Sequence, residues 1–132
     1  MKTLLAGLAL ASLTCAGGLV APHPAAASAP ITVRVTERDF AIALSRTRLP
    51  AGRQIRLVVT NRGPSTHELV LEPAAAVDKA LRYRGTTYEA DGIRPGTTRT
   101  VIWTIPRSGT FKFACHIGHH FQLGMRTLVR AT

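Results

Sequence analysis

Cys115-His116-Ile117-Gly118-His119-His120-Phe121-Gln122-Leu123-Gly124-Met125 is the stretch from which both the site and the fold can be read. It gathers a thiol, imidazoles and a thioether in one short segment. Soft sulfur donors combined with imidazole suit copper, and a trigonal His₂Cys set with a weak axial Met is a copper arrangement built for one-electron chemistry. The segment can supply Cys115, His120 and Met125. A second histidine is then needed. Apart from His23, close to the N-terminus, the only histidine outside the segment is His67.

The sequence on either side of this loop reads as strand. Residues 110–115 enter it and residues 125–130 leave it. Further out, Ile31, Val33 and Val35 alternate with Thr32, Arg34 and Thr36, the period of a half-buried strand. A short apolar piece follows at 40–44, and Pro50-Ala51-Gly52 makes a turn. Residues 53–60 put Ile55, Leu57 and Val59 on one face. Asn61-Arg62-Gly63-Pro64-Ser65 is a turn cluster, and residues 66–72 form the next strand. Residues 99–105 carry Val101, Trp103 and Ile105 on one face, and Pro106-Arg107-Ser108-Gly109 turns the chain into the strand before the loop. In residues 73–84 the spacing changes to three and four (Ala74, Val77, Leu81), which predicts a short helix ended by Gly85. The expected fold class is all-β: an antiparallel Greek-key β-sandwich or barrel with one short helical insertion.

Strand parity carries this expectation to the site. His67 shares a face with Leu69 and Leu71, opposite Glu68 and Glu72. Cys115 shares a face with Phe111 and Phe113, opposite Lys112. Both donors therefore point to the core side. His67 begins its strand and Cys115 ends its own, so in an antiparallel sandwich they can meet at one pole.

The N-terminus reads as an export signal. Lys2 precedes an apolar run from Leu4 to Val20, and Ala25-Ala26-Ala27 offers a small-residue cleavage site. The expected domains are residues 1–27 as signal peptide and 28–132 as one copper-binding domain, placed in the periplasm or another extracytoplasmic space. With Cys15 removed, Cys115 has no partner for an internal disulfide, and metal ligation would protect a lone thiol in an oxidising compartment. The formal net charge of the chain is +10, with the arginines scattered along it. There is no basic run with interleaved aromatics, so nucleic acid is not an expected partner. Scattered positive charge can instead steer the protein to an acidic redox partner, or associate it with an anionic membrane surface.

On these residues the chain resembles the cupredoxins, the small blue-copper proteins that include plastocyanin, azurin and rusticyanin. The likeness covers the whole mature chain. It runs from a strand ending near Phe40 through Leu49-Pro50-Ala51-Gly52 and Val58-Val59-Thr60-Asn61 to His67, and then to Cys115, His120 and Met125 with four residues in each gap. The resemblance implies a Greek-key sandwich with one copper ion, cycling between Cu(I) and Cu(II), at one pole. His67, Cys115 and His120 would be the strong ligands and Met125 the axial one. It favours His120 over His119 through the spacing to Met125. The chain departs from the family pattern at Glu68, where Asn or Ser is common, at Gly118-His119, where Pro-Gly often stands, and at Phe111.

Cys115-His116 also resembles the last copper motif of multicopper oxidases, but the His-x-His pairs that a trinuclear centre needs are absent from the sequence. A Cys/His nucleophile would leave Met125 and the spacing unexplained. The expectation is therefore a monomeric carrier of single electrons between partner proteins, not an enzyme. The alternative is a copper-handling protein for storage, delivery or resistance, with His116 and His119 as its extra donors.

Overall fold

The computed structural model describes residues 28–132; the expected signal segment lies outside the described residues. Eleven strands follow in order: β1 (Ile31–Arg38), β2 (Ala41–Leu44), β3 (Arg48–Leu49), β4 (Gln54–Asn61), β5 (His67–Pro73), β6 (Arg82–Tyr83), β7 (Thr86–Thr87), β8 (Glu89–Ile93), β9 (Thr98–Thr104), β10 (Gly109–Ala114) and β11 (Arg126–Ala131). They form a four-stranded sheet in the order β2-β1-β4-β9 and a five-stranded sheet in the order β3-β11-β10-β5-β8, with β6 and β7 as a separate small hairpin.

The period-2 alternation decides what faces inward. Val33, Val35, Ile55, Leu57, Val59 and Trp103 come from the first sheet, and Leu69, Leu71, Phe111, Phe113 and Val129 from the second, all buried in one core. Trp103 lies stacked over Phe113 at 6.5 Å between centroids, joining the two layers. Truncating Phe113 to Ala would cost about 3–5 kcal/mol, the usual range for a buried aromatic. The same alternation carries Glu37 inward. It is wholly buried on β1, and neither carboxylate oxygen has a hydrogen-bond partner among the described residues.

Two expectations need correction. The sandwich is mixed rather than purely antiparallel, since β1 pairs parallel with β4 and β11 parallel with β3. This follows from the chain crossing to the second sheet at β3 before returning beside β1 as β4. The helical insertion does not form either. Among the described residues, 74–81 are turns and irregular chain.

The reason for the missing helix is on the outer face of the second sheet. Glu72 Oε2 accepts the Lys79 N–H at 3.0 Å, and the Lys112 ammonium donates to the carbonyls of Ala74 (3.0 Å) and Ala76. Leu81 N–H donates to Leu71 O at 2.8 Å, and Asp78 adopts a positive φ of 52°. These side chains satisfy the segment's backbone from outside, so i to i−4 pairing is not needed. The segment lies over a sheet face whose Val70, Glu72, Lys112 and Ala114 are buried as well. Glu72 and Lys112 do point away from the core, as parity predicts, but into a second covered layer rather than into solvent.

Candidate metal centre

β5 and β10 are antiparallel neighbours, with Val70 opposite Ala114. The start of β5 and the end of β10 therefore lie at the same pole. A bulge in the β5–β8 register between His67 and Leu69, with Gly92 at φ 65° on β8, adjusts the first residue of β5 there. Asn61, buried at the end of β4, braces the loop before His67. Its Nδ2 donates to Ser65 O at 2.7 Å and to Ile93 O at 2.8 Å, and its Oδ1 accepts Gly63 N–H at 2.8 Å.

The loop after β10 is closed by its own backbone. Cys115 N–H donates to Met125 O at 3.1 Å, and Met125 N–H donates to His120 O at 2.9 Å. This ties Cys115, His120 and Met125 into one turn. Cys115 and Met125 are fully buried, as is His67, while His120 is half-buried at the rim.

Three donor atoms converge. Nδ1 of His67 is 3.2 Å from Nδ1 of His120; Sγ of Cys115 is 3.4 Å from His120 Nδ1 and 4.0 Å from His67 Nδ1. Bond lengths of about 2.0 Å to imidazole and about 2.3 Å to thiolate place such donors roughly 3.5–4 Å apart around one ion. Two neutral imidazoles whose Nδ1 lone pairs face one point repel each other unless a proton or a metal ion lies between them. The donor set thus fits a cation, and its softness fits copper.

Burial lowers the pKa of His67, offset in part by the nearby Asp39 carboxylate, so its ring is readily neutral. Burial raises the Cys115 thiol pKa against the backbone amides of Glu68 and Ile117, which favour the thiolate. Metal binding here displaces a proton from sulfur. Glu68 lies outside the core but holds the pole together, because its Oε1 accepts the His116 N–H at 2.7 Å. This hydrogen bond joins the residues that follow His67 and Cys115.

The other two loop histidines lie elsewhere. His119 is exposed. His116 points to the opposite side of the sheet, stacked on Phe121 at 4.7 Å with its Nε2 3.4 Å from Glu72 Oε1. The ring of His120 meets Phe40 edge-on at 5.3 Å. Phe40 is itself 38% exposed, so the rim histidine has an apolar neighbour at the surface.

One contributor was not visible in the sequence. Asp39, in the tight link from β1 to β2, has its Oδ1 2.9 Å from His67 Nε2, and its Oδ2 accepts Ser65 Oγ–H at 2.5 Å. The contact with His67 is a close charge–dipole approach, since neither atom has a partner in linear hydrogen-bond geometry. Nothing in the spacing of Asp39 and His67 signals their meeting. The clue available was Gly63 and Ser65 in the turn cluster, where Gly63 leaves the space this carboxylate fills.

A family model described as Cupredoxin-like domain matches residues 6–125. The copper-resistant cuproprotein CopI of Rubrivivax gelatinosus is 32% identical over 110 residues, covering 76% of this chain and 66% of that protein. The chain thus spans just under two thirds of the relative's length. Among solved structures, dithionite-reduced auracyanin from the photosynthetic bacterium Roseiflexus castenholzii matches with a TM-score of 0.60 at 19% identity, over 80% of this chain and 99% of that one. Reduced rusticyanin matches with a TM-score of 0.56 at 15% identity, over 80% and 82%. At such identities the structures speak for the fold alone. His67, Cys115, His120 and Met125 are arranged as in a type 1 copper site. The chain belongs to the cupredoxin-like family, as the sequence of its 115–125 loop leads one to expect.

Proposed function

We propose that His67, Cys115, His120 and Met125 hold one copper ion, and that the protein, exported by residues 1–27, carries single electrons between partner redox proteins. The gathering of two Nδ1 atoms and one Sγ within 4.8 Å of one another carries this reading. When bound, copper supplies a one-electron couple. The chain's own residues do the rest. Sγ and both imidazoles are held by strand ends and by a hydrogen-bonded loop, so little has to move when the charge on the ion changes. Asn61 and Glu68 fix the two halves of the site to each other. His120, at the rim beside Phe40, is the group through which an electron would pass to a docked partner. Exposed arginines such as Arg34, Arg38 and Arg62 would draw an acidic one. No helix among the described residues is long and apolar enough to cross a membrane.

The test is stopped-flow mixing of the reduced, copper-loaded protein with an oxidised c-type cytochrome. Rapid oxidation with copper retained is the expected result, and His120→Gly should keep copper, change its absorption spectrum and slow the transfer. Unchanged spectra and rates in His120→Gly would remove His120 from this role.

A second reading is favoured by one observation, the similarity to a copper-resistant cuproprotein. On it the protein buffers or delivers copper, and the exposed His119 beside His120 assists exchange. Transfer of Cu(I) to an acceptor such as a strong chelator within seconds, with slow electron exchange, would support that reading over the first.

A further inference from the structure

Asp39 has no part in the ligand set, yet it is the charged group in closest contact with a ligand. Its Oδ1 lies 2.9 Å from Nε2 of His67, on the far side of the ring from the Nδ1 that faces Cys115 and His120. Ser65 Oγ–H holds the other oxygen at 2.5 Å. The pocket for this carboxylate is specific. A Cβ at residue 63 would stand 2.6 Å from Asp39 Oδ1 and 3.0 Å from His67 Nε2. Gly63 is therefore required while carboxylate and ring keep their places. No lysine or arginine pairs with Asp39 among the described residues. An aspartate that accepts such a hydrogen bond at one oxygen is ordinarily a carboxylate.

A carboxylate close to one ring nitrogen of a ligand histidine favours the proton on that nitrogen by charge–dipole attraction and raises the basicity of the other. Here it would also place a negative charge one imidazole away from the ion, with no lysine or arginine within 4.0 Å of it among the described residues. We propose, resting on the copper reading above, that Asp39 is a positioning residue that keeps His67 as the Nε2–H tautomer and lowers the reduction potential of the site by favouring Cu(II) over Cu(I). Glu68, which bridges to the His116 backbone, adds a second carboxylate to the same pole.

The experiment is an electrode-poised optical titration of copper-loaded wild-type, Asp39→Asn and Gly63→Ala protein, followed through the thiolate-to-copper absorption. Asp39→Asn keeps shape and polarity but removes the charge. It is expected to keep the absorption band and to shift the Cu(II)/Cu(I) ratio at a fixed electrode potential at least tenfold toward Cu(I), which for a one-electron couple is about 59 mV. Gly63→Ala pushes the carboxylate off the ring and is expected to shift the ratio in the same direction. If Asp39→Asn does not fold, Gly63→Ala decides. A variant that binds copper more weakly, or loses thermal stability, with its midpoint unmoved would show a merely structural role and overturn the proposal. If wild-type protein shows no thiolate-to-copper band, the copper reading itself fails and the role of Asp39 falls with it. An intact wild-type band with no midpoint shift in either variant defeats the Asp39 proposal alone.

Discussion

Two histidines of this protein each have a carboxylate at Nε2, on opposite sides of the same sheet. His67 has Asp39 at 2.9 Å, and His116 has Glu72 at 3.4 Å. The chemistry is the same in kind but the surroundings differ. The Nδ1 of His67 faces a thiol and a second imidazole. The ring of His116 lies flat on Phe121, and Glu72 is shared with Lys112 at 3.3 Å. One pair orients a donor toward a site. The other helps to close a covered polar layer, in which Lys112 also caps the carbonyls of the 74–81 segment. A histidine–carboxylate pair thus becomes a ligand device only when its free nitrogen meets other donors, and sequence adjacency to Cys115 does not provide that.

The comparison can be broken most directly by truncating each histidine. His67→Ala is expected to abolish the thiolate-to-copper absorption, because it removes one of the three strong donors. His116→Ala is expected to leave that absorption in place and to lower thermal stability modestly. Equal spectral losses in the two variants would mean that His116 has been wrongly separated from the site.

The polar layer offers the next largest effect. Lys112→Met would leave Glu72 buried without its cation and would orphan the Ala74 and Ala76 carbonyls. Breaking one partner of a buried pair costs about 3–5 kcal/mol, so denaturant unfolding should show a loss of that order, with copper absorption retained. A loss under about 1 kcal/mol, the range of exposed pairs, would show that the 74–81 segment does not seal this face.

A smaller, pH-dependent effect distinguishes the paired carboxylates from the unpaired one. Glu37 is held in the core without a partner, and burial pushes its pKa up from 4.5 to about 8. In the folded protein it stays protonated where the unfolded chain has already ionised. The stability this protonated group provides is full below about pH 4.5 and is lost as pH rises through about 8. The slope in that window is at most about 1.4 kcal/mol per pH unit. Glu37→Gln should therefore match wild type in melting temperature near pH 4 and exceed it increasingly toward pH 8. Parallel curves for the two proteins would show that Glu37 has found a partner for its charge.

The same contrast explains what could be read from the chain beforehand. Cys115, His120 and Met125 are legible because one short loop carries them, and His67 because parity and the shortage of other histidines point to it. The strand faces of Ile55, Leu57, Val59, Phe111 and Phe113 follow from period-2 alternation. The spacing of Ala74, Val77 and Leu81 misleads, because backbone satisfaction by Glu72 and Lys112 overrides a weak helical periodicity. Asp39 is hidden for a different reason. Its meeting with His67 depends on how the β1–β2 link and the loop braced by Asn61 stack at the pole, a tertiary arrangement with no local pattern.

The central claim, a copper site built from His67, Cys115, His120 and Met125, is tested most directly by optical and electron paramagnetic resonance spectra of the protein loaded with one equivalent of Cu(II). An intense visible charge-transfer band with narrow copper hyperfine splitting is expected, and both should vanish in Cys115→Ser. A colourless Cu(II) complex with wide splitting, unchanged by Cys115→Ser, would contradict the account.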